Sequence, residues 1–176
     1  MMKSFASKIC LILGIQFVLF AGFLYWQRIT PQRLAFTSVE ASASVSSAIK
    51  PTRITIPSLA IDLPIFPAEN TSGWQVHKNG VSYLSSSVVP GEKGNSILYG
   101  HNWPNLLGDL PKITPDSTIE ITYSDGTKNV FVVSATQEVS PKDTSVLAKT
   151  DDQRVTLYTC TGFLDSKRFV AVAMLK

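Results

Sequence analysis

Two cysteines and two histidines are all the thiol and imidazole chemistry available to this chain of 176 residues. Cys10 and Cys160 form no CxxC pair, and neither HExxH nor GxxxxGK[ST] occurs. These absences exclude thiolate zinc knuckles, the zinc-peptidase helix and phosphate-loop nucleotide chemistry. The glycines of PGEKGN, residues 90–95, match no dinucleotide fingerprint either. Charge is also sparse, at 16% of residues, and it is unevenly spread. Residues 1–50 carry a net charge of +4, with Lys3, Lys8, Arg28, Arg33 and Lys50 against Glu40; residues 51–176 carry −1. The chain's basic balance therefore belongs to its N-terminal part. A nucleic-acid partner is excluded, because phosphate binding needs clustered Lys and Arg on the folded domain.

The N-terminal part holds one long apolar run. ICLILGIQFVLFAGFLYW, residues 9–26, contains Gln16 as its single strongly polar side chain. A helix of about 20 apolar residues crosses a bilayer, and Tyr25 and Trp26 suit the aromatic belt at its outer end. A cleaved signal peptide is the competing reading, but its apolar region is about 7–15 residues long. The nearest A-x-A site, Ala41-Ser42-Ala43, also lies well beyond the run. The reading is an uncleaved anchor over residues 9–27 behind a short cytoplasmic tail, residues 1–8, with the larger domain outside the cell. Residues 28–50 are Ser/Ala/Thr-rich without a sustained period, and Pro31 halts the helix. They read as a flexible tether spanning roughly 25 Å.

From Pro51 onward the apolar pattern alternates. RITI, IDLPI, GNSILYGH, IEITY, NVFVVSA, RVTLYTC and RFVAVAML read as short strands, and Asp125-Gly126 marks a hairpin turn. Helical signal is thin: a turn within NWPNLLGDL, and another within SPKDTSVLAK with Asp143 as its N-cap. Many short strands at close spacing make residues 51–176 one all-β domain, a barrel or a sandwich.

Within that domain Cys160 has no cysteine partner. Such a thiol is a small buried hydrophobe, an interchain partner or a reactive group. Its context favours the last. His101 ends another strand, and strand ends present chemistry to solvent. An imidazole beside a thiol can take its proton and expose the nucleophilic thiolate. Arg168 opens the final strand eight residues after Cys160, so a tight connection returns its guanidinium near the sulfur, where it can donate to an oxyanion. His77, beside Lys78 in a turn, reads as a solvated turn histidine.

TLYTC at 156–160, LYGHN at 98–102 and RFVAVA at 168–173, in the order His, Cys, Arg, together resemble the sortases. PGEKGNSILYGH also looks like that family's approach to its histidine. The resemblance covers about residues 51–176 and implies an eight-stranded β-barrel with short helices. It implies a membrane-anchored cysteine transpeptidase: Cys160 attacks the Thr–Gly carbonyl of an LPxTG-like sorting signal and forms a thioacyl enzyme. His101 serves as general acid and base, Arg168 stabilises the oxyanion and holds substrate, and Thr159 helps orient the substrate. The loop at 139–153 corresponds to the wall that receives the substrate's Leu-Pro. The implied partners are secreted proteins carrying the signal and an amine acceptor, either a peptidoglycan precursor or a pilin lysine. No cofactor takes part in the chemistry.

The departures bear on subclass. Pilin-polymerising sortases often carry an Asp-Pro-aromatic lid motif and a C-terminal membrane helix. This chain has no Asp-Pro pair, and its sequence ends at Lys176 directly after the last strand. Both features point to a lidless, single-anchor enzyme of the general protein-anchoring type. A calcium site is not assigned, since Glu69, Glu92 and Asp151 are scattered along the chain. An L,D-transpeptidase would carry Gly-Cys-x-x-Arg, and a papain-like enzyme an early helical Cys. A non-catalytic barrel that binds a wall peptide or polymer would have Cys160 buried and far from His101.

Overall fold

The computed structural model describes residues 2–28, 34, 36, 49–68 and 76–176. Most of the tether and Glu69 lie outside the described residues. Helix α1, Met2–Arg28, contains a span at Lys8–Trp26 with mean hydropathy 2.2, none of it buried against protein. That is long and apolar enough to cross a membrane.

Eight strands follow: β1 Pro51–Ile56, β2 Ile61–Ala68, β3 Val81–Leu84, β4 Gly94–Tyr99, β5 Thr118–Tyr123, β6 Lys128–Val139, β7 Gln153–Thr161 and β8 Lys167–Leu175. They close into a barrel in the order β1-β2-β3-β4-β7-β8-β6-β5. Of the two architectures open to the sequence, the barrel is the one formed. At the β5–β6 hairpin Gly126 takes φ +84°, and Asp125 Oδ1 accepts from the Thr127 amide at 3.0 Å. β3 is the strand the alternation did not reveal: all four of its residues are buried, so no polar face marks it.

Both helical expectations resolve into single 3-10 turns, at Leu110–Lys112 and Ser145–Leu147. Asp143 is not the N-cap of the second; that position is Thr144. The Asp143 carboxylate instead accepts from the amide and hydroxyl of Ser145 two residues on, which is local turn chemistry.

Two apolar clusters divide the strand residues by parity. Leu98, Val155, Leu157, Phe169, Ala171 and Ala173 point into the barrel with Ile54, Ile119, Ile121 and Phe131. Ile97, Tyr99, Tyr158, Cys160 and Val170 form the other cluster, on the opposite face of the same three strands. That is the side-chain alternation of a strand. β4 is buried along its whole length, so both of its faces are covered. This is why GNSILY reads as a continuous apolar run.

Candidate active site

β4 and β7 run parallel in matched register, from Gly94 beside Gln153 to Tyr99 beside Tyr158. The pairing continues one step past β4, where the Gly100 amide donates to the Tyr158 carbonyl at 3.3 Å. His101 and Cys160 each stand two residues beyond the Tyr99–Tyr158 pair. Neighbouring strands lie about 4.8 Å apart, so the register sets the imidazole-bearing residue beside the thiol-bearing one. On the other side of β7, antiparallel β8 pairs Arg168 directly with Cys160. All three predicted site residues therefore converge at one rim of the barrel, on three adjacent strands.

The fourth, Thr159, precedes the thiol on β7. It is fully buried, and its hydroxyl donates to the Gly100 carbonyl at 2.8 Å. Strand alternation turns it away from the face that holds Cys160. Its hydroxyl therefore ties β7 to the backbone immediately before His101.

The site is tightly enclosed: His101 is 7% exposed, Cys160 5% and Arg168 3%. His101 stacks on Trp103, with ring centroids 4.3 Å apart and planes 6° from parallel. Its carbonyl accepts from the Leu107 amide at 3.1 Å. Burial pushes the imidazole below its ordinary pKa; the Lys78 ammonium pushes the same way, and the Asp165 carboxylate opposes both. Arg168 Nη1 donates to the carbonyls of Asp165 and Lys167, each at 3.0 Å, which folds the guanidinium back over the β7–β8 connection. Within that connection Gly162, Leu164 and Asp165 all take positive φ, between 51° and 78°. For Leu and Asp that backbone is strained. It turns the Asp165 carboxylate toward Asn102, whose Nδ2 donates to it at 2.9 Å.

Asn102, Trp103 and Asp165 were not singled out from the sequence. The first two flank His101 and could have been flagged by position. Asp165 needed the β7–β8 turn in three dimensions. His77 differs from its reading as a solvated turn histidine: it is half-buried just before the turn, stacked on Phe66 at 3.5 Å, and its Nδ1 accepts from the Asn79 amide.

An apolar cluster packs on the outer face of β4, β7 and β8 around Cys160. Val139, Val146 and Leu147, from the end of β6 and the loop after it, join Ala68, Leu84, Ile97 and Tyr99 in the apolar cluster that includes the thiol. Buried Asn95 on β4 pins this loop: its Nδ2 donates to the carbonyls of Val146 and Ala148, and its Oδ1 accepts from Thr156. A cleft of about 230 Å³ runs along Leu84, Ile97 and Leu147 toward Lys93 and Lys149. Two further members of the apolar cluster come from the segment read as a flexible tether. Leu34 and Phe36 are 1% and 3% exposed, and they cover the face that the sequence left open. Among the described residues, no three His, Cys, Asp or Glu side chains are grouped to hold a metal ion.

The closed eight-stranded barrel, with His101 just past β4, Cys160 on β7 and Arg168 paired with it on β8, defines the class of protein. The sortase-domain model matches residues 54–176, and the chain belongs to the sortase family. Sortase A of Listeria monocytogenes is 32% identical over 127 residues, which cover 70% of this chain and 55% of the relative. Sortase A of Bacillus anthracis is 28% identical, with 70% of this chain and 58% of the relative covered. The chain thus spans little more than half the length of these curated relatives. Among solved structures, Sortase A from Corynebacterium diphtheriae superposes with a TM-score of 0.63 at 26% identity, over 78% of this chain and 62% of that one. Sortase C1 from Streptococcus agalactiae reaches the same TM-score at 23% identity, over 71% and 66%, a likeness of fold.

Proposed function

We propose that the protein is a membrane-anchored cysteine transpeptidase that joins proteins bearing an LPxTG-like signal to an amine. The observation that carries this is the matched parallel register of β4 and β7, which sets His101 beside Cys160 while β8 brings Arg168 to the other side. In the first half-reaction the Cys160 thiolate attacks the Thr–Gly carbonyl carbon. Arg168 donates to the oxyanion as the tetrahedral intermediate forms. His101 gives a proton to the departing glycine amine, the C–N bond breaks and a thioester remains on Sγ. In the second half-reaction an acceptor amine attacks the thioester and passes its proton to His101. Cys160 leaves as thiolate, so the site is regenerated without a cofactor. Thr159 acts as a positioning residue behind His101.

The acceptor is an amine of a peptidoglycan precursor or of another protein. The absence of an Asp-Pro pair favours general protein anchoring over pilin polymerisation. Helix α1 supplies the anchor over residues 9–27, with residues 1–8 cytoplasmic and the catalytic domain, residues 51–176, extracellular. The transferase step runs through a thioester that water can also resolve, so the enzyme has peptidase activity as well.

The test incubates the full-length chain with an LPxTG-containing peptide and triglycine, then searches for an acyl adduct on Cys160 by mass spectrometry. The expected result is a Thr-linked thioester and transfer product, both lost in Cys160→Ala with the melting temperature unchanged. Cleavage by folded Cys160→Ala at the wild-type rate would overturn the assignment. The non-catalytic alternative gains support from the burial of Cys160, but a peptide-binding barrel gives no reason for His101 to stand in register with it.

A further inference from the structure

We propose that the cleft between the β3–β4 loop and the loop after β6 is a subsite for acidic side chains that precede the sorting signal, read by Lys93 and Lys149. This rests on the transpeptidase reading, in which an extended peptide lies with its threonine at Cys160 and its leucine end toward the loop at 139–153. The cleft holds about 230 Å³, and its lining includes both lysines but no carboxylate. Asn95 and Ile97 on β4 form its floor. Strand alternation and the parallel register put these two on the face that bears Thr156, Tyr158 and Cys160. Asn95 is 6% exposed, and its bonds to the Val146 and Ala148 carbonyls hold the loop that bears Leu147 and Lys149 against that floor.

The same strands supply a ruler. Ile97 pairs with Thr156 and Gly94 with Gln153, four and seven residues before Cys160. At about 3.3 Å per residue, those points lie about 13 Å and about 23 Å along the strand from Cys160. An extended peptide with its threonine at Cys160 has its leucine about 10 Å away. Its residues two and three places ahead of the leucine then stand at about 17 Å and about 20 Å. Both fall between Ile97 and Lys93, within the cleft. Lys93 pairs with Asp151 at 3.3 Å, but the two side chains are 69% and 100% exposed. A pair so open to solvent is screened and readily exchanged. Lys149 forms no ion pair among the described residues. Two cations over a lining without a carboxylate attract an acidic flank and repel a basic one.

The experiment uses the full-length chain in neutral detergent micelles and three LPxTG peptides that differ only two and three places ahead of the leucine. One carries Asp-Asp there, one Asn-Asn and one Lys-Lys. The expected order of kcat/KM is acidic, neutral, basic, in steps of roughly three- to tenfold carried by KM. The steps should shrink in about 0.5 M salt, and the order should invert in K93E/K149E. Equal values for the three peptides overturn the subsite while leaving the transpeptidase reading in place. An acidic preference that K93E/K149E retains overturns it too. If no peptide is cleaved, the transpeptidase reading falls instead, and fluorescence anisotropy with the same peptides, labelled, judges the subsite. Tighter binding of the acidic peptide then upholds it, and equal binding overturns it. If K93E/K149E does not fold, K93Q/K149Q takes its place and should flatten the order.

Discussion

Replacing Thr159 by valine keeps the shape of the side chain and removes one hydroxyl. In the folded barrel that hydroxyl is the donor to the Gly100 carbonyl, 2.8 Å away. Thr159 is fully buried, so water cannot take over the bond. A buried acceptor left without its donor costs about 1–3 kcal/mol, and the variant should melt lower by that amount. Activity should fall further than stability alone explains. Gly100 is the residue from which His101 projects, and a shift of about 1 Å in a catalytic group can cost about 10²-fold in rate. The expected result is a loss of kcat of roughly 10- to 100-fold with KM unchanged. Steady-state cleavage of an LPxTG peptide gives both constants, and urea titration gives the stability. Thr159→Ser retains the hydroxyl and should recover most of kcat. The argument fails if Thr159→Val raises KM at constant kcat, because the hydroxyl would then be touching substrate. It also fails if neither stability nor rate changes.

Three further outcomes follow from the same geometry. The His101 imidazole should titrate below the ordinary value of about 6.5 in an NMR pH series, because burial and Lys78 both disfavour its charge. Removing the opposing carboxylate in Asp165→Asn should move that midpoint lower still, and Lys78→Gln should move it up. The unfolded chain binds a proton near pH 6.5 where the folded one does not, so this histidine's contribution to stability is complete above that pH and is lost as pH falls toward the folded value; a series of melts against pH checks the sign. Asn95→Ala should free the loop after β6, raising KM for the peptide and costing about 1–3 kcal/mol in a denaturant titration for the carbonyls left bare. Arg168→Ala should lower kcat by roughly 10²–10³-fold, the value of one oxyanion donor, with the thioester forming slowly in a single-turnover assay.

The strands were readable wherever one face is wet. β5 alternates between buried and half-buried along its length, and IEITY shows it. β3 gave no such signal, because four residues buried on both faces carry no period. The parallel partnership of β4 and β7 was beyond local pattern: GNSILY and RVTLYT are both apolar runs, and nothing in either names the other. Cys160, His101 and Arg168 were singled out because the motifs that carry them resemble a known arrangement, and pairing across β4, β7 and β8 sets their backbones at one rim. Thr159 was read from its neighbour in sequence, and adjacent side chains in a strand point to opposite faces. Leu34 and Phe36 were lost in a Ser/Ala-rich stretch, although two bulky apolar residues close together were the available sign that this stretch covers a surface.

The β4–β7 pairing also sets the order in which reactivity arises. The residues it brings together are 59 positions apart, and no local hairpin can substitute for that contact. Such distant, co-directional pairing forms slowly compared with neighbouring turns. A half-built chain therefore holds its sulfur without the base and without the cation. The three strand ends that carry Cys160, His101 and Arg168 therefore meet only when the cylinder closes.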